Sequence, residues 1–133
     1  MRRESAKVRF PFVPHHGTVQ EILNDHGLAS LGDAYTNLIY SLYLSVRKGK
    51  PAGAKADSHT LSNALRQSGL RSLMNSRVDR HDQADAAEAL LAYAWLSGLT
   101  TITRSVSILA KHDNVQEAFA LLLSDAMEKL GSD

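Results

Sequence analysis

The feature that most constrains this chain is the segment Ala86 to Leu96. Ala86, Ala87, Ala89, Leu90, Leu91, Ala92, Ala94 and Leu96 leave a helix here apolar nearly all round. Such a helix is a central, buried one, so the chain must supply other helices to surround it. With 133 residues it has the size of one domain, and an apolar fraction of 44% suffices for one core. The central helix is expected over Asp82 to Leu96, with Asp82 as its cap.

The rest of the chain reads as helices too. Thr18-x-x-Glu21 is a capping box, and Val19, Ile22 and Leu23 follow in a short helix that Gly27 can end. Leu28 to Lys48 is the longest periodic segment. Leu28, Leu31, Tyr35, Leu38, Leu42 and Val46 recur at three- and four-residue steps, which is one face of a helix. Arg47, Lys48 and Gly49 form a basic end and stop. After a linker over 50–56, Asp57 or Ser58 can cap a helix carrying Leu61, Ala64 and Leu65. A short helix is read over Leu70 to Val78. Ile102 to Ala110 and Val115 to Leu130 complete the set, the last capped by Asp113. No period-2 pattern persists, so the fold class is all-α, a compact helical bundle. Residues 1–16 read as an extended basic arm with Arg2, Arg3, Lys7 and Arg9, because Pro11 and Pro14 exclude a helix there. The domain proper is read as 17–133.

Three carboxylates stand in unusual company. At about 100° per residue, Asp33 lies nearly opposite the Leu28/Leu31/Leu38/Leu42 face, among Ala29, Asn37, Tyr40 and Leu44. Asp85 and Glu88, three residues apart, share one face of the apolar helix. Desolvated and unpaired, each would be costly. Two readings stand side by side. In one, Asp33 is the N-cap of a helix starting at Ala34, and Asp85 and Glu88 favour the positive end of their own helix. In the other, the three acids converge on an all-oxygen site for a hard cation such as Mg²⁺.

Leu31-Gly32-Asp33-Ala34 before an apolar helix, followed by Asp85-Ala86-Ala87-Glu88-Ala89-Leu90-Leu91, resembles the ordered signature of the ribonuclease III family. The resemblance spans roughly residues 19 to 100, and the short chain is most similar to the catalytic-domain-only, Mini-III type. The resemblance implies a ribonuclease III-like endonuclease domain. It also implies a homodimer that cuts double-stranded or structured RNA with Mg²⁺ (or Mn²⁺), leaving 5′-phosphate and 3′-hydroxyl ends. Asp33, Asp85 and Glu88 would be the catalytic, metal-holding acids, supported by His26, Asn37 and Asp82. The family's two signature glutamates align with His26 and Ala29, and its interface aromatic with Ser30. The loss at Ala29 motivates the alternative of an inert RNA-binding or assembly module.

Formal net charge is +1, so any polyanion partner must be met by a segregated basic surface. Arg66, Arg71, Arg77 and Arg80, between the two motifs, are the residues read as able to hold RNA phosphates. A solvated mixed-charge surface is the competing reading. The absence of cysteine excludes disulfides and thiolate chemistry and suits a cytoplasmic protein. No apolar run is long enough to span a bilayer. The histidines lack a metal-ligand spacing, and no phosphate-cradling glycine loop is present.

Overall fold

A computed structural model describes residues 10–132, and these are all-α. The helices are α1 (Val19–Leu23), α2 (His26–Lys48), α3 (Ser58–Gln67), α4 (Arg80–Leu96), α5 (Ile102–Ala110) and α6 (Val115–Ser132), with a 3-10 turn over Leu70–Leu73. The apolar helix is the hub. In α4 every residue from Ala86 to Ala94 is buried, and α1, α2, α3 and α6 all pack on it. Phe119, Leu122 and Leu123 of α6 and Leu61 and Leu65 of α3 complete the core. Among the described residues no helix is long and apolar enough to cross a membrane.

The largest interface joins α2 to α4, and it does not use the whole of the periodic leucine face. Leu28 and Tyr35 are buried, but Leu31, Leu38, Leu42 and Val46 are exposed, Val46 by 62%. The face turned to α4 is instead built from Ala29, Gly32, Thr36 and Ile39. Small side chains let the two backbones approach. A Cβ on Gly32 would stand 2.1 Å from the Glu88 carbonyl oxygen, a distance no side chain can occupy. Tyr35 closes the same seam, stacking on Trp95 at 4.9 Å and sharing a 2.9 Å hydrogen bond with Ser105 of α5.

Several element boundaries also differ. Gly27 does not end α1. Asp25 caps α2, its carboxylate accepting the Leu28 N–H at 2.9 Å, and Gly27 falls in the first turn, where N–H groups lack helical acceptors anyway. The expectation of a cap at Asp33 is therefore wrong, since Asp33 sits inside the helix. Helix α4 begins at Arg80, and its cap is Asp79. Asp82 is the reciprocal member of that capping box, accepting the Asp79 N–H at 3.2 Å. The helix read over Leu70 to Val78 shrinks to the 3-10 turn, between Gly69 in the left-handed region and an extended Met74. At α6 the Glu117 N–H donates to Asn114, while Asp113 receives Arg47.

Residues 1–9, with Arg2, Arg3, Lys7 and Arg9, lie outside the described residues. The remainder of the expected arm is laid on the domain. Val13 packs against the core, and His16 meets Asp25 at 2.8 Å.

A Gly32→Ala substitution therefore tests the seam. In an exposed helix it would be stabilising by about 1 kcal/mol. Here the overpacking should destabilise by roughly 2 kcal/mol or more in urea unfolding. Unchanged or raised stability would mean that α2 and α4 do not meet at Gly32.

Candidate active site

The seam fixes where the acids stand. Gly32 packs on the backbone of Glu88, so the next residue of α2, Asp33, emerges beside the Asp85 and Glu88 side chains of α4. Asp33, Asp85 and Glu88 line one open pocket of about 360 Å³ together with His26, Ala29 and Ser30. Two motifs 52 residues apart in the chain thus reach one place. Asp33 is exposed, Asp85 half-buried and Glu88 buried.

The electrostatics follow from that burial gradient. Loss of water, then the charges of Asp33 and Asp85 and a hydrogen bond with Asp33, push the Glu88 carboxyl up to about 8. Burial also raises Asp85, with Asp82 and Asp33 adding to the shift and His26 and His81 opposing it. Like charges held together in a partly dry site favour a proton or a cation between them.

The supporting residues divide. Asn37 lies one turn beyond Asp33. Its amide oxygen accepts the Ala56 N–H at 2.7 Å, which orients its nitrogen toward Asp33 at 3.4 Å, a weak contact. His26 opens α2 at the rim of the pocket. Asp82 faces a neighbouring cavity of about 270 Å³, which shares His26, Ala29 and Asp85 with the acidic pocket and adds Asn24, Asn75 and Arg77. Of the other arginines, Arg71 is engaged with the carbonyls of Asn75 and Ser76 at 3.1 and 3.2 Å. Arg66 and Arg80 lie where α3 meets α4, bonded to Gln83 and His59. Sequence reasoning missed Asp25, whose cap sets where α2 starts and hence where His26 points. The signal was present, an Asp three residues before Leu28, but Gly27 was read as a break.

A protein-family profile described as Ribonuclease III matches residues 26–132. The chain belongs to the ribonuclease III family. A comparison with curated proteins finds no match. Membership supports an RNA endonuclease activity in general terms, and the matched span includes both acidic motifs of this ribonuclease III domain.

The donor set fits a hard divalent cation, because it is all oxygen, lies on two rigid helices and carries a surplus of negative charge. As placed, however, the side chains do not form a ready coordination group. No cluster of three or more histidine, cysteine or acidic residues able to hold a metal ion exists among the described residues.

Glu88 makes a pH signature. Its carboxyl binds a proton more tightly folded than unfolded. The stability it contributes is therefore fully present below about pH 4.5 and is lost as the pH rises through about 8. In EDTA, Glu88→Gln should match the wild type near pH 4.5 and exceed it by about 1–3 kcal/mol at pH 8 in denaturant unfolding. A gap that does not grow with pH would show that Glu88 is not held in a strained, charged site.

Proposed function

We propose that this chain is a divalent-metal-dependent endoribonuclease. It hydrolyses phosphodiesters in double-stranded or structured RNA, leaves 5′-phosphate and 3′-hydroxyl ends, and works as a homodimer. One observation carries the reading. In a ribonuclease III domain, the carboxylates of two distant motifs line one pocket, and the most buried of them, Glu88, is pushed up to about 8.

Asp33, Asp85 and Glu88 are the residues that would hold Mg²⁺ or Mn²⁺. Bound there, the ion supplies electrophilic activation of the phosphodiester and offsets the repulsion among the acids. The chain's own groups do the positioning. Glu88 and Asp85 are fixed by the buried helix α4. Asp33 is steadied by Asn37, which is itself tied to the 50–57 loop through Ala56. His26, at the rim, can donate to a phosphate oxygen, and it already opposes the upward shift of the Asp85 carboxyl.

The dimer reading rests on the exposed stripe of α2. Leu31, Leu38, Leu42 and Val46 follow one another at spacings of seven, four and four residues. Two largely apolar grooves adjoin the stripe, one at Leu31 and Leu38 and one at Leu42 and Val46. One is lined by Phe10, Phe12, Trp95 and Leu96, the other by Pro51, Ile102, Val106 and Ala110. The stripe itself carries no charge of either sign, which suits pairing with its own copy about a two-fold axis. It also lies on the helix that carries Asp33, so two copies would hold two acidic pockets in a fixed relation, one for each strand of a duplex.

Ala29, which replaces the second signature glutamate, favours an inert RNA-binding or assembly module as the competing reading. Purified protein and a long labelled duplex RNA separate the two. Magnesium-dependent products with 5′-phosphates are expected from the wild type, none in EDTA, and a loss of more than about a hundredfold in Asp33→Asn and Glu88→Gln. RNA binding without products would establish the inert module. For the dimer, Leu38→Glu with Leu42→Glu should convert a dimer to a monomer in sedimentation. A wild type that sediments as a monomer at micromolar concentration would refute that part.

A further inference from the structure

The four arginines between the acidic motifs are not equivalent. Arg71 braces the 74–76 loop, and Arg77 lines the cavity beside Asp85. Arg66 and Arg80 differ from both in how they are held. One Arg66 nitrogen donates to the Gln83 side-chain oxygen at 2.7 Å, and another donates to Asn63. Gln83 is only 6% exposed, so this is a buried amide aimed at an exposed guanidinium. Arg80 stands one turn before Gln83 and meets the His59 ring nitrogen Nδ1 at 2.6 Å. His59 and Asn63 come from α3, Arg80 and Gln83 from α4. The pair therefore sits on the junction of two packed helices.

Neither of these two cations is in an ion pair with a carboxylate among the described residues. The ion pairs among the described residues that involve arginine use Arg47 and Arg104. The acids at the starts of α3 and α4 are engaged with backbone. Asp57 caps α3, and Asp79 and Asp82 form the capping box of α4. Two guanidinium groups are thus pre-oriented without being neutralised. Each keeps further N–H donors for an outside acceptor, since the group has five. A planar fork of donors with fixed charge is matched by a phosphate.

We propose that Arg66 and Arg80, oriented by Gln83, Asn63 and His59, form a clamp for the phosphate backbone of RNA at the α3–α4 junction. This rests on the reading of the acidic pocket as an RNA-cutting site. The clamp and the acids share a helix. Arg80 precedes Glu88 by eight residues, about 12 Å along the axis, so clamp and pocket are near enough to meet one bound duplex. Such contacts are indifferent to sequence and position the duplex. Gln83 acts through Arg66 and is a positioning residue.

The test is steady-state cleavage of a labelled duplex RNA at several salt concentrations by the full chain, by the Arg66→Gln/Arg80→Gln double variant, and by Arg104→Gln. The double variant should raise KM about tenfold and leave kcat within about twofold. It should also flatten the salt dependence of log kcat/KM by nearly two, about one for each lost phosphate contact. Arg104→Gln should match the wild type. Wild-type KM and salt slope in the double variant would overturn the clamp, as would a fall in kcat alone. Should the wild type cut no RNA, the nuclease reading fails and the clamp is decided by binding of the same duplex. Salt-sensitive binding that weakens in the double variant sustains it, and equal or absent binding removes it.

Discussion

The contact of Gly32 with the backbone of Glu88 is the constraint on which the rest of the structure depends. With no side chain at position 32, two helices approach more closely than leucine packing would allow. The consequence is local and chemical. Asp33 follows Gly32, and Glu88 is the residue Gly32 packs on, so a close backbone approach coincides with a gathering of acids. Stability and site geometry are set by one seam, and a residue that disturbs the first disturbs the second.

That coupling explains why an otherwise apolar helix carries carboxylates. Helix α4 is surrounded by α1, α2, α3 and α6, and a fully buried Glu88 would be hard to retain in such a place. It lies at the boundary where the small-residue face of α2 ends and solvent begins. The energetic cost of keeping it there is visible in the raised carboxyl. Natural chains accept such local penalties where function demands them. Around this negative centre the polar framework is ordered by neutral or capping contacts. Asn37 bridges Asp33 to the 50–57 loop, Asp79 and Asp82 close the start of α4, and Gln83 and His59 hold the arginines of the flank.

Much of this was legible in residues and spacing. The buried character of α4 follows from its alanines and leucines, and the capping box at Thr18 and Glu21 is present as read. The convergence of Asp33 with Asp85 and Glu88 followed from the resemblance and from the poor company each acid keeps. What was not legible has a common physical cause. Periodicity is read from large side chains, and it picks out the Leu31/Leu38/Leu42/Val46 face without saying what covers it. The actual contact uses Ala29, Gly32 and Thr36, whose value lies in what they lack. Large residues on the opposite face then become a surface that one chain cannot cover, which no count within a single sequence distinguishes from a core. Helix starts failed for a related reason. Several Asp residues stand near each start, at 79 and 82 or at 25 and 33, and only the packing decides which one caps.

The family's pattern is met unevenly, and the uneven parts are informative. Where the resemblance sets the second signature glutamate this chain has the buried Ala29, so the proposed site would lean on three carboxylates. In the proposed function these three form a divalent-cation site. Direct titration of Mn²⁺ into the metal-free protein, followed by the loss of the free ion's paramagnetic signal, tests that claim without requiring any RNA. Saturable uptake by the wild type, abolished in Glu88→Gln and Asp33→Asn, is the predicted result. Uptake that is absent in the wild type, or unchanged in both variants, would contradict it.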